Sequence, residues 1–266
     1  MAIPAKKVDS FKDAAATSLK GTSFTQQMTE AKRRLIMAID APEKCGKTNF
    51  ALSAPGPIAY VNFDQGLDSV IQKFQKLKKI YVAEMKLPRS RNDMDVNEVA
   101  NAAAESWNTF CNDFMGAVRD TTVRTIVTDT ATELWELLRL AKFGKLAQVM
   151  PHQYAIPNSI YREMIREVEN SSKNLILIHK VGDEYVNDKR TGKKIRSGYK
   201  DTGYIVQVNA NLWKVPEEEY PDRFHLQITD CRQNPECEGT ELTGEAVNFA
   251  TVATMVFPDS ELEEWQ

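Results

Sequence analysis

The chain has 266 residues with 34 basic and 37 acidic side chains, so its formal net charge is −3. Hydrophobic residues make up 42% of the sequence and charged residues 27%, which is the mixture of a globular protein. A chain of this size buries roughly 70–75% of its unfolded surface around one core. These values exclude collagen-like, mucin-like and largely disordered classes, and also a broadly cationic coat for nucleic acid.

We predict three segments: a loose leader over residues 1–30, one domain over 31–256 and an acidic tail over 257–266. The apolar runs are too short to span a membrane, and no secretory signal is expected. The four cysteines are scattered, without histidines at a zinc-ligand spacing, so we expect reduced thiols and a cytoplasmic location.

Short apolar runs alternate with amphipathic stretches from residue 34 onward. We predict strands at 34–40, 57–63, 79–82, 125–128 and 174–178. We predict helices at 47–53, 67–77, 97–118, 130–147 and 159–171. Three later strand-like pieces, at 204–208, 212–215 and 224–229, are expected to extend the sheet as antiparallel strands. This order favours an α/β fold with a mainly parallel sheet flanked by helices.

A phosphate-binding motif follows the first predicted strand and opens a helix. Residues 41–48 read Ala-Pro-Glu-Lys-Cys-Gly-Lys-Thr, the Walker A pattern of a P-loop with Ala41 where glycine is commoner. Backbone N–H groups of such a loop hold phosphate oxygens, its lysine reaches the β- and γ-phosphates, and its hydroxyl binds Mg²⁺. We therefore predict ATP and Mg²⁺ as cofactors; the alternative is a chance match in a surface loop. The predicted nucleotide-binding residues are Ala41, Pro42, Glu43, Lys44, Cys45, Gly46, Lys47, Thr48 and Asn49.

A carboxylate follows a second apolar strand. Asp129 comes directly after the run 125–128, where it is expected to hold Mg²⁺ together with Thr48. Aspartate is also a good N-cap for the predicted helix at 130–147, and both roles are compatible.

The segment 60–68, Tyr-Val-Asn-Phe-Asp-Gln-Gly-Leu-Asp, resembles the region after the second core strand of RecA-type recombinases. The resemblance implies that Asp64 orients the attacking water, with a side chain one carbon shorter than the usual glutamate. Asp64 as a plain turn residue is the alternative. The run 174–180, Asn-Leu-Ile-Leu-Ile-His-Lys, is similar to the family's fourth core strand, which implies a γ-phosphate sensor role for His179. A structural histidine is the alternative there.

The whole order of motifs is similar to the small phage-encoded RecA-like ATPases, which are short recombinases and single-strand annealing proteins. The similarity covers roughly residues 33–232. It implies an ATP hydrolase that binds single-stranded DNA in the cytoplasm of an infected bacterium. It also implies a homo-oligomer, as a ring or filament with ATP at the subunit interfaces, and a single-strand binding protein as a further partner.

A charged insert over 183–200 lies where such proteins have their second DNA-binding loop. Basic side chains with interleaved aromatic rings suit single-stranded DNA; a solvated hairpin turn is the alternative. The predicted DNA-binding residues are Lys189, Arg190, Lys193, Lys194, Arg196, Tyr199 and Lys200. The candidates for completing a neighbouring subunit's ATP site are Lys193, Lys194, Arg196 and Arg232.

Residues 148–157 occupy the place of the first DNA-binding loop, and their two prolines favour a fixed, non-helical path. His152 and Tyr154 are expected either to stack on bases or to be structural. The tail at 259–266 carries four acids and no base, which suits a basic partner, competition for the DNA site or simple solvation.

The predicted function is an Mg²⁺-dependent ATPase that binds single-stranded DNA for phage recombination, by annealing or strand exchange. Two alternatives stay open at this point. One is a helicase or helicase loader of the same fold, and the other is a nucleotide-binding regulatory module with little hydrolysis.

Overall fold

A computed structural model describes residues 33–64, 67–89, 94–144, 149–187 and 189–266. The predicted leader at 1–30 lies outside the described residues. Residues 33–266 form one compact unit. None of the helices in the described part of the chain combines the length and the hydropathy that crossing a bilayer requires.

The described residues form nine strands and seven α-helices. The strands are β1 Ile36–Ala41, β2 Ile58–Asn62, β3 Ile80–Glu84, β4 Thr125–Asp129, β5 Asn174–Val186, β6 Lys189–Arg196, β7 Val208–Lys214, β8 Phe224–Cys231 and β9 Glu241–Thr243. The helices are α1 Lys47–Ser53, α2 Asp68–Phe74, α3 Val96–Arg119, α4 Ala131–Phe143, α5 Ala155–Glu169, α6 Thr202–Ile205 and α7 Phe249–Val256.

The central sheet has the order β3-β2-β4-β5-β1-β7-β8-β9. The first six strands of this order run parallel, and β7, β8 and β9 pair antiparallel. Strand β6 lies off this path and pairs with the far end of β5 as an antiparallel hairpin. The predicted α/β class, with antiparallel strands towards the C-terminus, is therefore confirmed.

Two apolar layers cover the sheet because buried strand residues alternate between its faces. One layer combines Met37 and Ile39 of β1 with α1 and α7. The other combines Ile36 and Ala38 of the same strand with α3, α4 and α5. Strands buried on both faces read as continuous apolar runs, which explains why the pattern of the sequence was informative.

Two local predictions were wrong. Residues 202–205 form the short helix α6 instead of a strand at 204–208; the Thr202 hydroxyl donates to the Tyr199 carbonyl at 2.8 Å and closes this turn. Residues 151–157 are helical, since a 3-10 turn at Pro151–Tyr154 runs directly into α5. Pro157 is tolerated in the first turn of α5 because backbone N–H groups there need no partner within the helix.

The last ten residues pack against the domain. Trp265 is buried, its ring stacks on Phe257 with centroids 5.4 Å apart, and its indole N–H donates to the Ser260 hydroxyl at 2.8 Å. The Arg124 guanidinium donates to the backbone carbonyls of Glu264 and Gln266. The acidic tail predicted at 257–266 is thus part of the compact unit.

Candidate nucleotide-binding site

The Walker A residues form a loop between the end of β1 and the start of α1. Two of its residues have left-handed backbone conformations, Lys44 with φ 58° and Gly46 with φ 88°. A β-carbon on Gly46 would also lie 3.4 Å from the Phe224 ring. That distance is an ordinary van der Waals contact, so glycine is favoured at position 46 by the left-handed backbone alone. Lys47, the residue after it, is buried.

The Thr48 hydroxyl lies beside the Asp129 carboxylate, as the two motifs predict. Thr48 Oγ1 donates to Asp129 Oδ2 at 3.3 Å. The Tyr60 hydroxyl donates to the same oxygen at 2.6 Å. Asp129 is the last residue of β4, and the side chain of Thr130 accepts the N-cap hydrogen bond of α4. The alternative N-cap role for Asp129 was therefore wrong.

Burial sets the electrostatics of this carboxylate. It raises the pKa of Asp129, and the hydrogen bond from Tyr60 and the charge of Lys47 oppose that shift. Burial and the neighbouring Asp129 raise the pKa of Tyr60 well above its ordinary value, so the phenol stays protonated and remains a donor.

The chemistry of these donors fits a magnesium ion. Asp129 Oδ1 is buried and has no hydrogen-bond partner among the described residues, while Oδ2 accepts from Tyr60 and Thr48. An unpartnered carboxylate oxygen beside a hydroxyl is the hard oxygen set that Mg²⁺ prefers. Thr48 and Asp129 are the residues that would hold the ion.

Asp64 lies at the same edge of the sheet. Its side chain is exposed, and its backbone N–H donates to Asn62 Oδ1 at 3.3 Å. Together with Asn62, Glu84 and Glu133 it lines a cavity of about 850 Å³. Asn62 is the register partner of Asp129 in β4, so this cavity opens beside the candidate metal position. Residues 65–66, between Asp64 and Leu67, lie outside the described residues.

His179 is completely buried in β5, where it is the register partner of Asp40 in β1. Its Nδ1 lies 3.1 Å from the Ser197 carbonyl oxygen, so this nitrogen carries the hydrogen. Burial and the charge of Arg196 lower the pKa of His179 to about 3, which leaves the ring neutral. Nε2 is then an acceptor, and it has no partner among the described atoms. In this arrangement the ring offers an acceptor at Nε2, and the sensor role of His179 stays a prediction.

Comparison with known protein families agrees with the loop geometry. A family model described as AAA domain matches residues 33–213, which is more than half of the chain. The chain belongs to this AAA domain family. AAA domains are nucleotide-binding ATPases, so the P-loop at 41–48 stands in a family whose function is to bind nucleotide. None of the curated proteins compared with the chain matches it.

Two of the predicted DNA-binding residues of the AAA domain are not available at its surface. Tyr199 is buried, its ring packs on Trp135 and Tyr161 at 5.0 and 4.9 Å, and its hydroxyl accepts from Arg162. The Arg196 guanidinium is mostly buried and paired with Asp40 of its own chain, so it is not offered to DNA or to a neighbouring subunit in this structure. Aromatic residues next to basic runs are often core residues, and only the tertiary structure separates the two cases.

The rest of the basic segment is exposed on the hairpin formed by β5 and β6. Arg190 and Lys194 both donate to Asp183 Oδ1, at 2.7 and 2.6 Å. Lys189 and Lys193 are exposed and make no salt bridge with another described residue, and Lys200 is also exposed. Tyr185 on the facing strand exposes 63% of its surface.

In the segment predicted as the first DNA-binding loop, one of the two candidate base-stacking side chains packs inside the domain. The Tyr154 ring packs against Trp135 and Phe143, and its hydroxyl accepts from Arg139 at 2.9 Å. His152 is exposed. The structural alternative therefore holds for Tyr154.

A second cavity of the AAA domain adjoins the P-loop on the side of α1. It measures about 320 Å³ and borders Gly46, Asn49, Tyr220, Phe224 and Asn248. Aromatic faces with a few amide groups suit a planar heterocycle.

Three features of the site were not predicted from the sequence. These are the hydroxyl of Tyr60 on Asp129, the ion pair of Arg196 with Asp40, and the ion pair of Lys180 with Glu133. The apolar run around Tyr60 predicts that this residue is buried in a strand, and it does not indicate the hydrogen bond to Asp129. The position of Glu133 could have indicated a place near the site, because it lies four residues after Asp129 in the first turn of a helix.

Proposed function

We propose that this AAA domain is a RecA-like, Mg²⁺-dependent ATPase that binds single-stranded DNA and promotes phage DNA recombination by annealing or strand exchange. The observation that carries the ATPase part is the convergence of Thr48, Tyr60 and Asp129 beside a P-loop whose glycine is required by its backbone. Bound Mg²⁺ would neutralise developing phosphate charge. The cavity beside Tyr220 and Phe224 would bind the adenine base of ATP.

The support for DNA binding is the exposed face of the hairpin. Lys189, Lys193 and Lys200 offer charges for phosphates, and the exposed ring of Tyr185 offers a stacking surface for a base. Asp183 offsets part of the charge of Arg190 and Lys194. We therefore place the strongest phosphate contacts at Lys189 and Lys193.

The proposed assembly is a homo-oligomer with ATP at the interfaces between subunits. Of the four predicted neighbour-completing residues, Lys193, Lys194 and Arg232 are exposed and remain candidates. Arg232 donates to the Tyr204 carbonyl of its own chain, which fixes its direction.

The experiment for the ATPase is steady-state hydrolysis of ATP by wild type and by Lys47→Ala. Removing one preorganised charge from the phosphates is expected to lower kcat by about 10²-fold or more. The control is Lys142→Ala, an exposed lysine in the last turn of α4 that belongs to no predicted site. Turnover by K47A at the wild-type rate would contradict the proposal. Nucleotide binding without turnover in wild type would instead favour the regulatory module.

The experiment for DNA binding compares Lys189→Glu/Lys193→Glu with Lys73→Glu/Lys76→Glu, two exposed lysines in and after α2 that carry the same charge change. Loss of two phosphate contacts is expected to lower the salt dependence of binding to an oligothymidylate by about 1.4 in log–log slope. Equal slopes for the two double variants would contradict the assignment of the hairpin. ATP turnover with and without the oligonucleotide then measures how strongly DNA binding is coupled to ATP hydrolysis.

A further inference from the structure

Glu133 lines the cavity that opens beside the candidate metal position. It lies in the first turn of α4, four residues after Asp129. Asn62, Asp64 and Glu84 line the same cavity. The register of β2 with β4 places Asn62 next to Asp129, so this cavity and the metal position share one edge of the sheet.

The two oxygens of the Glu133 carboxylate have different surroundings. Oε1 accepts from the ammonium of Lys180, with which it forms an ion pair. Oε2 is buried and has no hydrogen-bond partner among the described residues. Only 15% of the Glu133 side chain is exposed. A buried acceptor without a donor is costly, so a native structure that keeps one calls for a ligand or water that donates to it.

Lys180 is itself held in place by backbone hydrogen bonds. Its N–H donates to the Thr132 hydroxyl at 3.0 Å, and its carbonyl accepts from the N–H of Ser197 at 2.8 Å. The Thr132 hydroxyl donates in turn to the Ser197 carbonyl at 2.9 Å. The lysine is thus fixed between the start of α4 and the base of the hairpin, and its ammonium fixes one oxygen of Glu133.

We propose that Glu133, positioned by Lys180, is a water-orienting carboxylate of the ATPase site, acting together with Asp64. This inference rests on the proposed function. The anchored oxygen sets the direction of the carboxylate, and the second oxygen accepts a hydrogen from the attacking water. Glu133 is mostly buried, whereas Asp64 has an exposed side chain, so the glutamate is the better preorganised of the two.

The step balances as a hydrolysis. The water oxygen forms a bond to the γ-phosphorus, and the bond from that phosphorus to the β,γ-bridging oxygen breaks with its electron pair remaining on ADP. The water proton passes to the carboxylate of Glu133 and from there to bulk solvent. The ammonium of Lys180 keeps its proton throughout and acts only on the position of Glu133.

The test measures kcat, KM for ATP and binding of a fluorescent ATP analogue in the full chain. We expect Glu133→Gln to lower kcat by about 10²-fold while KM and analogue binding stay within about twofold of wild type. The matched control is Glu136→Gln, a half-buried glutamate one turn further along α4 that does not line the cavity. A wild-type kcat in E133Q, or an equal loss in E136Q, overturns the inference.

The pair Lys180→Met and Lys180→Arg separates positioning from folding. We expect K180M to lower kcat by about tenfold or more and K180R, which keeps an ion pair, to restore most of it. Equal kcat values in K180M and K180R overturn the positioning role of Lys180. If E133Q does not fold, the same result overturns the whole inference. Failure of the proposed function is distinct, because wild type would then show no turnover that depends on Lys47.

Discussion

Arg196 Nε donates to Asp40 Oδ1 at 2.6 Å, and the two side chains expose only 13% and 17% of their surface. Asp40 directly precedes the first residue of the P-loop, and Arg196 is the last residue of β6. The same guanidinium donates to Asn209 Oδ1 at 2.8 Å. One side chain therefore connects the base of the basic hairpin with the strand that carries the P-loop.

Replacement of Arg196 by alanine leaves the carboxylate of Asp40 without its partner. Burial raises the pKa of Asp40, and the hydrogen bond and charge of Arg196 oppose this, so the unpartnered acid is left with the cost of burial alone. We expect R196A to lower the free energy of unfolding by about 3 kcal/mol, measured by urea denaturation. Exposed Lys193→Ala is the control and should stay within about 0.5 kcal/mol. Equal stability of the two variants would refute this account.

The pattern of the sequence predicted most of the fold because its strands are buried on both faces. Runs such as 174–178 are continuous and apolar, and β5 begins at Asn174 as expected. The pattern was less informative where local turns compete with pairing, as at Thr202–Ile205. Hydrogen bonds between neighbouring residues determine such a short helix, and periodicity does not detect them.

Some contacts of the candidate site could also be predicted from the sequence, whereas others could not. The contact of Thr48 with Asp129 could be predicted, because both follow strands whose carboxyl ends meet at one edge of the sheet. The partners of Arg196 and Tyr199 could not, since the chain must return across the sheet before these side chains meet their neighbours. Charge and aromaticity alone do not distinguish a buried contact from a binding surface.

The hydroxyl of Tyr60 is expected to tune magnesium binding. Tyr60→Phe removes the donor to Asp129 Oδ2 at 2.6 Å and keeps the ring in the core. The carboxylate then loses a hydrogen bond that favours its charged form and fixes its direction. We expect the Mg²⁺ concentration for half-maximal ATPase activity to rise by about tenfold. Tyr81→Phe, at an exposed position in β3, is the control, and an unchanged Mg²⁺ profile in Y60F would show that the hydroxyl is only structural.

The buried neutral ring of His179 predicts a dependence of stability on pH. Its pKa falls from the ordinary 6.5 to about 3, so between these values the unfolded chain binds a proton that the folded chain does not. The free energy of unfolding must therefore decrease as the pH falls from about 6.5 towards about 3. We expect His179→Gln to show a shallower decrease than wild type when urea unfolding is followed between pH 4 and 7. Exposed His152→Gln should retain the wild-type slope; identical slopes in wild type and H179Q would mean that the ring is protonated in the folded state.

The C-terminal packing predicts that Trp265 contributes to the stability of the domain. Its ring lies against Phe257 and Phe249, and its indole N–H donates to Ser260, so replacement by alanine removes apolar burial and one hydrogen bond. We expect W265A to lower the free energy of unfolding by about 3 kcal/mol, measured by urea denaturation. Leu262→Ala, in the same short 3-10 helix but with 42% of its surface exposed, should cost less than about 1 kcal/mol. Because neither replacement removes a backbone hydrogen bond of the central sheet, both variants should keep the far-ultraviolet circular dichroism of the wild type. A stability of W265A equal to that of L262A would show that the last residues are solvated in solution instead of packed.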